Sequence, residues 1–479
     1  MTYDAIIIGA GLGGLIAGAK LAKGGKKVLL IEQHSVPGGC ATSFKRGDFI
    51  MEVGLHEMDG LHKKDLKTRI FRDLGVFDKV EFLKLPDFYR LKKGQLDIVV
   101  SHAPEEAKET LLKHFPDEEK AIDAYFNQIF DETIGNFYDS VEVGPSVGQF
   151  MDSITDNEDL KFVLLGNLGY YHDDPYSLSL DYYSVAQRSY YTGGGNFIKG
   201  SSQRLSDYLS DYIKDNGGEV IMRHSVTEII VENEKAVGVT YVGKKKGSEP
   251  VKAFATDIIA NAAMQNVAEM LPAKYGSELT DQIKDHEISA SLLTLYIGFK
   301  KPLQDLGFNN YATFIFGDEM KTQADIVKNS RSDYPTRSFT FIDYGQVDSE
   351  LAPKGKSVGA VCCVDYTSEW EGLSRNEYLA KKEEVSKTFI KRLEKLIPGL
   401  SDAVEYYELG TATTVKRYIL TPKGSVYGFA QTPEKIIAED IKSIENLHFA
   451  SAWAKLGGGY SGAIYNGYMC GISILRNRR

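Results

Sequence analysis

Tyr3-Asp4-Ala5-Ile6-Ile7-Ile8-Gly9-Ala10-Gly11-Leu12-Gly13-Gly14 opens a pattern that closes at Lys27-Val28-Leu29-Leu30-Ile31-Glu32-Gln33. The run Ala5–Ile8 is apolar without alternation, as a strand buried on both faces requires. Gly9, Gly11 and Gly14 fit G-x-G-x-x-G, with Leu12 and an additional Gly13 inside the turn. The first glycine permits a tight turn, the second a close approach of backbone N–H groups to a pyrophosphate, and the third close packing of helix on strand. Helical spacing follows through Leu15, Ala19 and Leu21, and Gly24-Gly25 stops it. The helix N-terminus offers positive potential to a phosphate. Glu32 closes the second strand, where a carboxylate can accept ribose hydroxyls. Strand, turn, helix, strand and acid in that order predict a dinucleotide-binding unit of α/β class.

After five intervening residues, Glu32 is followed by Gly38-Gly39, then Cys40-Ala41-Thr42-Ser43. This arrangement resembles the FAD-binding signature of amine oxidases, phytoene desaturases and their relatives. The resemblance implies that Gly38, Gly39, Ala41 and Thr42 run along the flavin and its phosphates. That family often carries Arg directly after the glycine pair. Cys40 stands here instead, which leaves Lys45 or Arg46 as candidates for the missing contact and argues against the amine-oxidase branch.

Two further segments carry the resemblance. The stretch GGGNFIKGSSQRLSDYLSDYIKDNGGEVIMRHSVTEIIVENEKAVGV (193–239) is similar to the phytoene desaturase family. Its helical spacing over Gln203–Ile213 ends at Asn216-Gly217-Gly218, as C-terminal capping expects. By resemblance, Val226 meets the adenine through its backbone. Val237–Val242 and Val251–Phe254 read as a hairpin around a lysine-rich solvated turn, and Asp257–Ala262 as a separate strand returning to the cofactor sheet. The last segment, Asn446–Ile474, passes from a short strand through Gly457-Gly458-Gly459-Tyr460-Ser461-Gly462 into a helix. In the resembled family this turn borders the flavin, so Gly458, Gly459, Ser461 and Gly462 join the expected cofactor residues. The helix dipole there favours negative charge on the reduced ring.

The expected organisation is a Rossmann-like FAD-binding domain from 1–60, 190–265 and 425–479. A mixed α+β substrate domain takes 61–189 and 266–424, with a helical part around 101–190. No second G-x-G-x-x-G follows a strand, so a built-in NAD(P) domain is not expected; NAD(P)H enters only as a possible transient electron donor. The stripe Val385, Phe389, Leu393 and Ile397 reads as core. Seven tyrosines (170, 171, 176, 182, 183, 190 and 191) crowd Gly169–Tyr191. They read either as packing or as the wall of an apolar tunnel.

Phe49–Gly60 reads as a strand that, by the resemblance, reaches the flavin ring, with Glu52 where the family has Asp. His56 and Glu57 then fall near the reactive face. His56 is a candidate proton carrier, relatives that saturate retinol also having a His there, and a structural histidine is the alternative. Lys300-Lys301 before Pro302 reads as a surface strand end.

Composition narrows the rest. In 479 residues, 56 Lys+Arg against 66 Asp+Glu give a net charge of −10, which disfavours a nucleic-acid partner. The 4 cysteines lack metal-ligand spacing, no metal is expected, and a reducing cytoplasm suits them. Asp4 interrupts the first apolar run, so no signal peptide is expected. No stretch approaches the ~18 apolar residues of a membrane span. The resemblance implies an FAD-dependent enzyme that desaturates, saturates or isomerises C–C bonds of a long apolar polyene or isoprenoid lipid. It also implies peripheral membrane contact through the helical part. An FAD-dependent amine or amino-acid oxidase, or a non-catalytic flavoprotein, remains the alternative, and oligomeric state is left open.

Overall fold

The computed structural model describes residues 2–136, 143–434, 441 and 443–476. Residues 137–142 of the expected helical part and 435–440 of the third segment lie outside it.

Two seven-stranded sheets carry the architecture. In the first, Thr2–Ile8 lies between Val28–Ile31 and Val251–Ala260, parallel to both, and Glu219–Ile221 extends the edge beyond Val28–Ile31. Its central strands are apolar on both faces because helices cover both, as a parallel sheet demands. Leu12–Lys23 packs against Gln203–Asp215 on one side and against the C-terminal helix Gly459–Arg476 on the other.

Two expectations need correction here. Val251–Phe254 and Asp257–Ala262 are not separate strands: Val251–Ala260 is continuous. Its first half pairs antiparallel with Lys235–Gly243, while its second half pairs parallel with Leu447–Phe449. One strand therefore serves the hairpin and the cofactor sheet together, which a reading of local apolar runs divides in two. Nor is Phe49–Gly60 one strand. It is extended at Phe49–Glu52 and again at Met58–Asp59, with a bend between. The cause is Glu52, whose carboxylate accepts the N–H groups of Gly54 (3.2 Å) and Leu55 (3.0 Å) and so folds the chain back on itself.

The second sheet runs Val404–Gly410, Ser291–Phe299, Ser357–Asp365, Phe339–Asp343, Ala312–Ile315, Tyr89–Lys93 and Leu96–Val100. Alternation divides its faces. Leu293, Leu295, Ile297, Phe341 and Val361 pack under the long helix Arg375–Leu396, where Val385, Phe389 and Leu393 form the expected buried stripe. Leu292, Thr294, Tyr296, Thr340 and Cys362 look the other way, into a cavity. The helical part, with Glu119–Phe130 and Leu180–Gly193 in contact, closes that cavity from above.

The three sequence segments meet at glycine contacts. A Cβ at Gly13 would overlap the Ala450 carbonyl oxygen, and one at Gly467 would overlap the Gly13 carbonyl oxygen. Gly13→Ala should therefore cost at least about 2 kcal/mol, the scale of overpacking in a well-filled interior. Gly169→Ala, where an added Cβ meets open space, should change stability by less than about 0.5 kcal/mol. Urea unfolding of the two variants beside the parent chain checks this.

Candidate active site

A single cavity of about 1330 Å³ runs from the glycine turns of the first sheet to the open face of the second. It exceeds the ~300–1,000 Å³ of a typical ligand pocket, which leaves room for a dinucleotide and a second molecule.

The nucleotide end is built mainly from backbone. Gly9 takes φ +96°, a value only glycine adopts without strain, and turns the chain out of the first strand. Glu32, almost fully buried, accepts the N–H of Ala10 (2.7 Å) and of His34 (2.8 Å), which locks the turn against the second strand. Gly38 donates its N–H to the Ala10 carbonyl (2.7 Å), so the second glycine pair lies directly beside the first. Asn261 donates to the Gly9 carbonyl (3.1 Å) from the end of the returning strand.

Of the residues expected to hold the cofactor, Gly9, Gly11, Leu12, Gly13, Glu32, Gln33, Gly38, Gly39, Ala41, Thr42, Val226, Gly458, Gly459, Ser461 and Gly462 all line the cavity. Gly14 does not; a Cβ there would overlap the Gly9 carbonyl, so it serves helix-on-strand packing. Lys45 is exposed and outside the cavity, whereas Arg46 lines it while bonded to Glu408 through Nε (2.6 Å) and Nη2 (3.1 Å). Cys40, at the arginine position of the resembled signature, is a thiol whose pKa burial raises to about 11. Lys300 is a surface residue bonded to the Asp402 carbonyl, as expected.

Where the cavity widens, the Glu52 bend presents His56 and Glu57. Burial lowers His56 to about 4, so the ring is neutral at pH 7. Its carbonyl accepts the Tyr311 hydroxyl at 2.6 Å, which fixes the bend to the second sheet. Burial pushes Glu57 well above the usual carboxylate range, a rise that the neighbouring Tyr170 hydroxyl only partly opposes. Desolvation thus favours its protonated form. The Tyr170 ring lies 5.8 Å from the His56 ring.

Two residues along, Asp59 behaves oppositely. Burial alone would raise it, but the ammonium of fully buried Lys67, 2.8 Å away, overrides that and holds it below the usual range. Lys67 is likewise desolvated, and Asp59, Tyr465 and Asp65 more than restore its charge. Asp59 also accepts the hydroxyl of Ser461 (2.5 Å), the third residue of the C-terminal helix. A buried ion pair thus fixes the helix start at the cavity wall. Asn261, Asp59 and Lys67 escape sequence reading because their partners are remote; the Asp59–Ser461 bond joins residues 402 positions apart.

The tyrosine cluster divides. Tyr170, Tyr171, Tyr182 and Tyr190 line the cavity, Tyr183 is packed among the helices and bonded to the Leu164 carbonyl, and Tyr176 is exposed. Both readings of the cluster hold, each for its own members.

The flavin-containing amine oxidoreductase family model matches residues 12–470. The chain belongs to that family. It is 27% identical over 506 residues to the chloroplastic prolycopene isomerase of Daucus carota, covering 98% of this chain and 79% of that protein. It is 26% identical over 537 residues to the all-trans-retinol 13,14-reductase of Danio rerio, covering 99% and 86%. Among solved structures, an oxidoreductase from Methanosarcina mazei matches with TM-score 0.66 at 16% identity, over 99% of this chain and 100% of that one. Putrescine oxidase with bound putrescine matches with TM-score 0.67 at 13% identity, over 99% of both chains. The fold is thus that of FAD-dependent amine oxidases: an FAD-binding domain beside a substrate domain. The family implies FAD, and the cradle fits it: at Gly9, Gly13, Gly38 and Gly458 backbone lies too close for any Cβ, and all four line the cavity.

Lys67→Met leaves the Asp59 carboxylate without its cation. It should cost about 3–5 kcal/mol, the scale for removing one member of a buried pair. Adding Asp59→Asn should recover part of that loss. Chemical unfolding of the single and double variants measures both.

Proposed function

We propose that this chain is an FAD-dependent oxidoreductase acting on C–C bonds of a long apolar polyene or isoprenoid lipid. The observation that carries the reading is the junction of the cavity. A neutral acid and a neutral imidazole stand there, between a dinucleotide cradle and a chamber walled by Tyr170, Tyr182, Tyr190, Tyr296 and Phe314. The names of the relatives, a carotenoid isomerase and a retinol reductase, support the same substrate class.

The flavin supplies hydride transfer to or from a substrate carbon. Gly9–Gly13 and Gly38–Gly39 would hold its phosphates, Glu32 its ribose, and the Gly458–Gly462 turn its ring. Glu57 gives a proton to the neighbouring carbon during saturation, and His56 takes one during desaturation; in isomerisation the group that takes the proton returns it. The aromatic wall stacks on the conjugated chain and excludes water, which protects the transferred groups from exchange. Asp59 and Lys67 do not titrate near neutrality and serve to fix the ring-side helix. A reduced nicotinamide can serve as a transient electron donor without a domain of its own. The enzyme is proposed to work in the cytoplasm and to draw substrate from a membrane by peripheral contact through its helical part, where Phe130 and Tyr176 are partly exposed. No helix among the described residues is long and apolar enough to cross a membrane.

The test is to purify the protein, identify its nucleotide and any co-purified lipid by mass spectrometry, and follow anaerobic flavin absorbance with polyenes and with amines. A yellow protein reduced or reoxidised by a polyene is expected. A colourless protein that rejects FAD, or peroxide release with amines alone, would overturn the reading. Glu57→Gln should slow saturation by about 10²–10⁴-fold, the usual contribution of a placed acid. The parent enzyme should lose rate as pH rises through the elevated Glu57 pKa, because only the protonated form donates, and the variant should lack that alkaline limb. If His56 is the base in desaturation, that rate should hold down to about pH 4 and fall below it.

A further inference from the structure

The second sheet gives the cavity a direction. Tyr311 bonds the His56 carbonyl at the reactive junction, and the strand Ala312–Ile315 runs away from it. Phe314 meets the Tyr170 ring at 5.2 Å, and Phe316 lies about 16 Å beyond Tyr311 at the ~3.3 Å rise of a strand. The next residue, Gly317, donates its N–H to Ser338 Oγ (3.1 Å), and Ser338 N–H donates to Asn329 Oδ1 (2.7 Å). The Asn329-Ser330 corner therefore marks the remote end, and both residues line the cavity.

A polar chain is built at this end, in an otherwise aromatic wall. Ser330 Oγ lies 2.8 Å from the Tyr366 hydroxyl, which donates to Asp173 (2.5 Å), and Arg331 stacks 3.7 Å over the Tyr366 ring. Asp173 Oδ1 lies 3.2 Å from Nδ1 of His172. The Asp174 N–H also points at that nitrogen, at 3.0 Å. The neutral ring can therefore take two tautomers: Nδ1 accepts the Asp174 N–H and Nε2 carries the hydrogen, or Nδ1–H donates to Asp173 and Nε2 keeps a lone pair. A charged ring carries hydrogen on both nitrogens. Yet Nε2 is buried and has no hydrogen-bond partner among the described residues, in a residue only 8% exposed that lines the cavity. A buried polar atom without a partner is costly, and structures rarely keep one without a use.

We propose that His172 is a specificity residue for the far end of the substrate: its Nε2 hydrogen-bonds a hydroxyl group that terminates the apolar chain, a group that both donates and accepts and so meets either tautomer. The substrate is thus an oxygen-ended polyene rather than a plain hydrocarbon. The neighbouring Asp173 carboxylate makes a carboxylate terminus the poorer fit. This inference rests on the polyene reading and narrows it.

The test uses FAD-loaded protein and a matched pair of probes, a conjugated isoprenoid hydrocarbon and its terminal alcohol, titrated by quenching of protein fluorescence, so that no turnover is required. The parent protein should bind the alcohol about tenfold more tightly, the span of one hydrogen bond to a buried polar atom. His172→Leu should abolish that preference while leaving hydrocarbon affinity within about twofold, and His172→Gln, which keeps a donor, should retain part of it. Thermal melts and flavin content of each variant confirm that it is folded. Equal affinity of the parent for the two probes, or equal weakening of both by His172→Leu, would overturn the oxygen subsite and leave the polyene reading intact. Binding of neither probe would defeat the polyene reading, and this inference with it.

Discussion

Everything in the cofactor half depends on backbone approaching backbone at Gly13. On one side of that residue lies the Ala450 carbonyl of the third segment, and its own carbonyl faces Gly467 in the last helix. Two helices, Leu12–Lys23 and Gly459–Arg476, cross where neither carries a side chain, so their N-termini can both open on one space. Two positive helix ends directed at a common region suit a ligand with negative charge at both its phosphates and its reducible ring. A residue with any side chain at Gly13 would separate the helices and misalign both ends.

The substrate half solves a different problem. Its sheet must be stable and must also expose one face to a cavity. The strand Ser291–Phe299 does both through period-two alternation: Leu293, Leu295 and Ile297 are buried under the long helix, while Leu292, Thr294 and Tyr296 border the cavity. The helical part then covers that face with aromatic rings, which pack against each other and against whatever occupies the space. Stability comes from the covered face, and the chemistry of recognition is free to vary on the other.

Much of this was legible in the sequence, for a physical reason. A dinucleotide turn is local: strand, glycines, helix and Glu32 all fall within thirty-two residues, and each leaves its own mark on composition or spacing. The same holds for the stripe of Val385, Phe389 and Leu393. What sequence reading misses is made by contacts between distant segments. Glu52 looks like a residue within a strand, yet its carboxylate also holds the N–H (2.8 Å) and hydroxyl (2.7 Å) of Ser202, and the bend it creates is what delivers His56 and Glu57. Lys67 looks like a surface lysine on a short helix, and its burial is visible only when Asp59, Asp65 and Tyr465 converge on it. The tyrosine cluster could not be resolved from spacing, because lining and packing tyrosines alternate within the same helix.

The deepest consequence of the Glu52 bend is electrostatic. Glu57 and Asp59 are two carboxyl groups two residues apart, on one short stretch of chain, and their surroundings drive them in opposite directions. Glu57 has no ion-pair partner among the described residues, the Tyr170 hydroxyl only partly opposes its desolvation, and the protonated form is favoured. Asp59 points at Lys67 and Ser461, and there the charged form wins despite burial. Separating neighbouring carboxyls in this way is how one scaffold holds a proton donor and a fixed anion at the same pH. The separation requires Lys67 to remain on the Asp59 side. A cation shared between the two would ionise both and remove the proton donor from the cavity. The helix Leu66–Asp73 prevents this, since it is capped at Asp65 and packed against the last helix, so the ammonium is delivered to one carboxylate only.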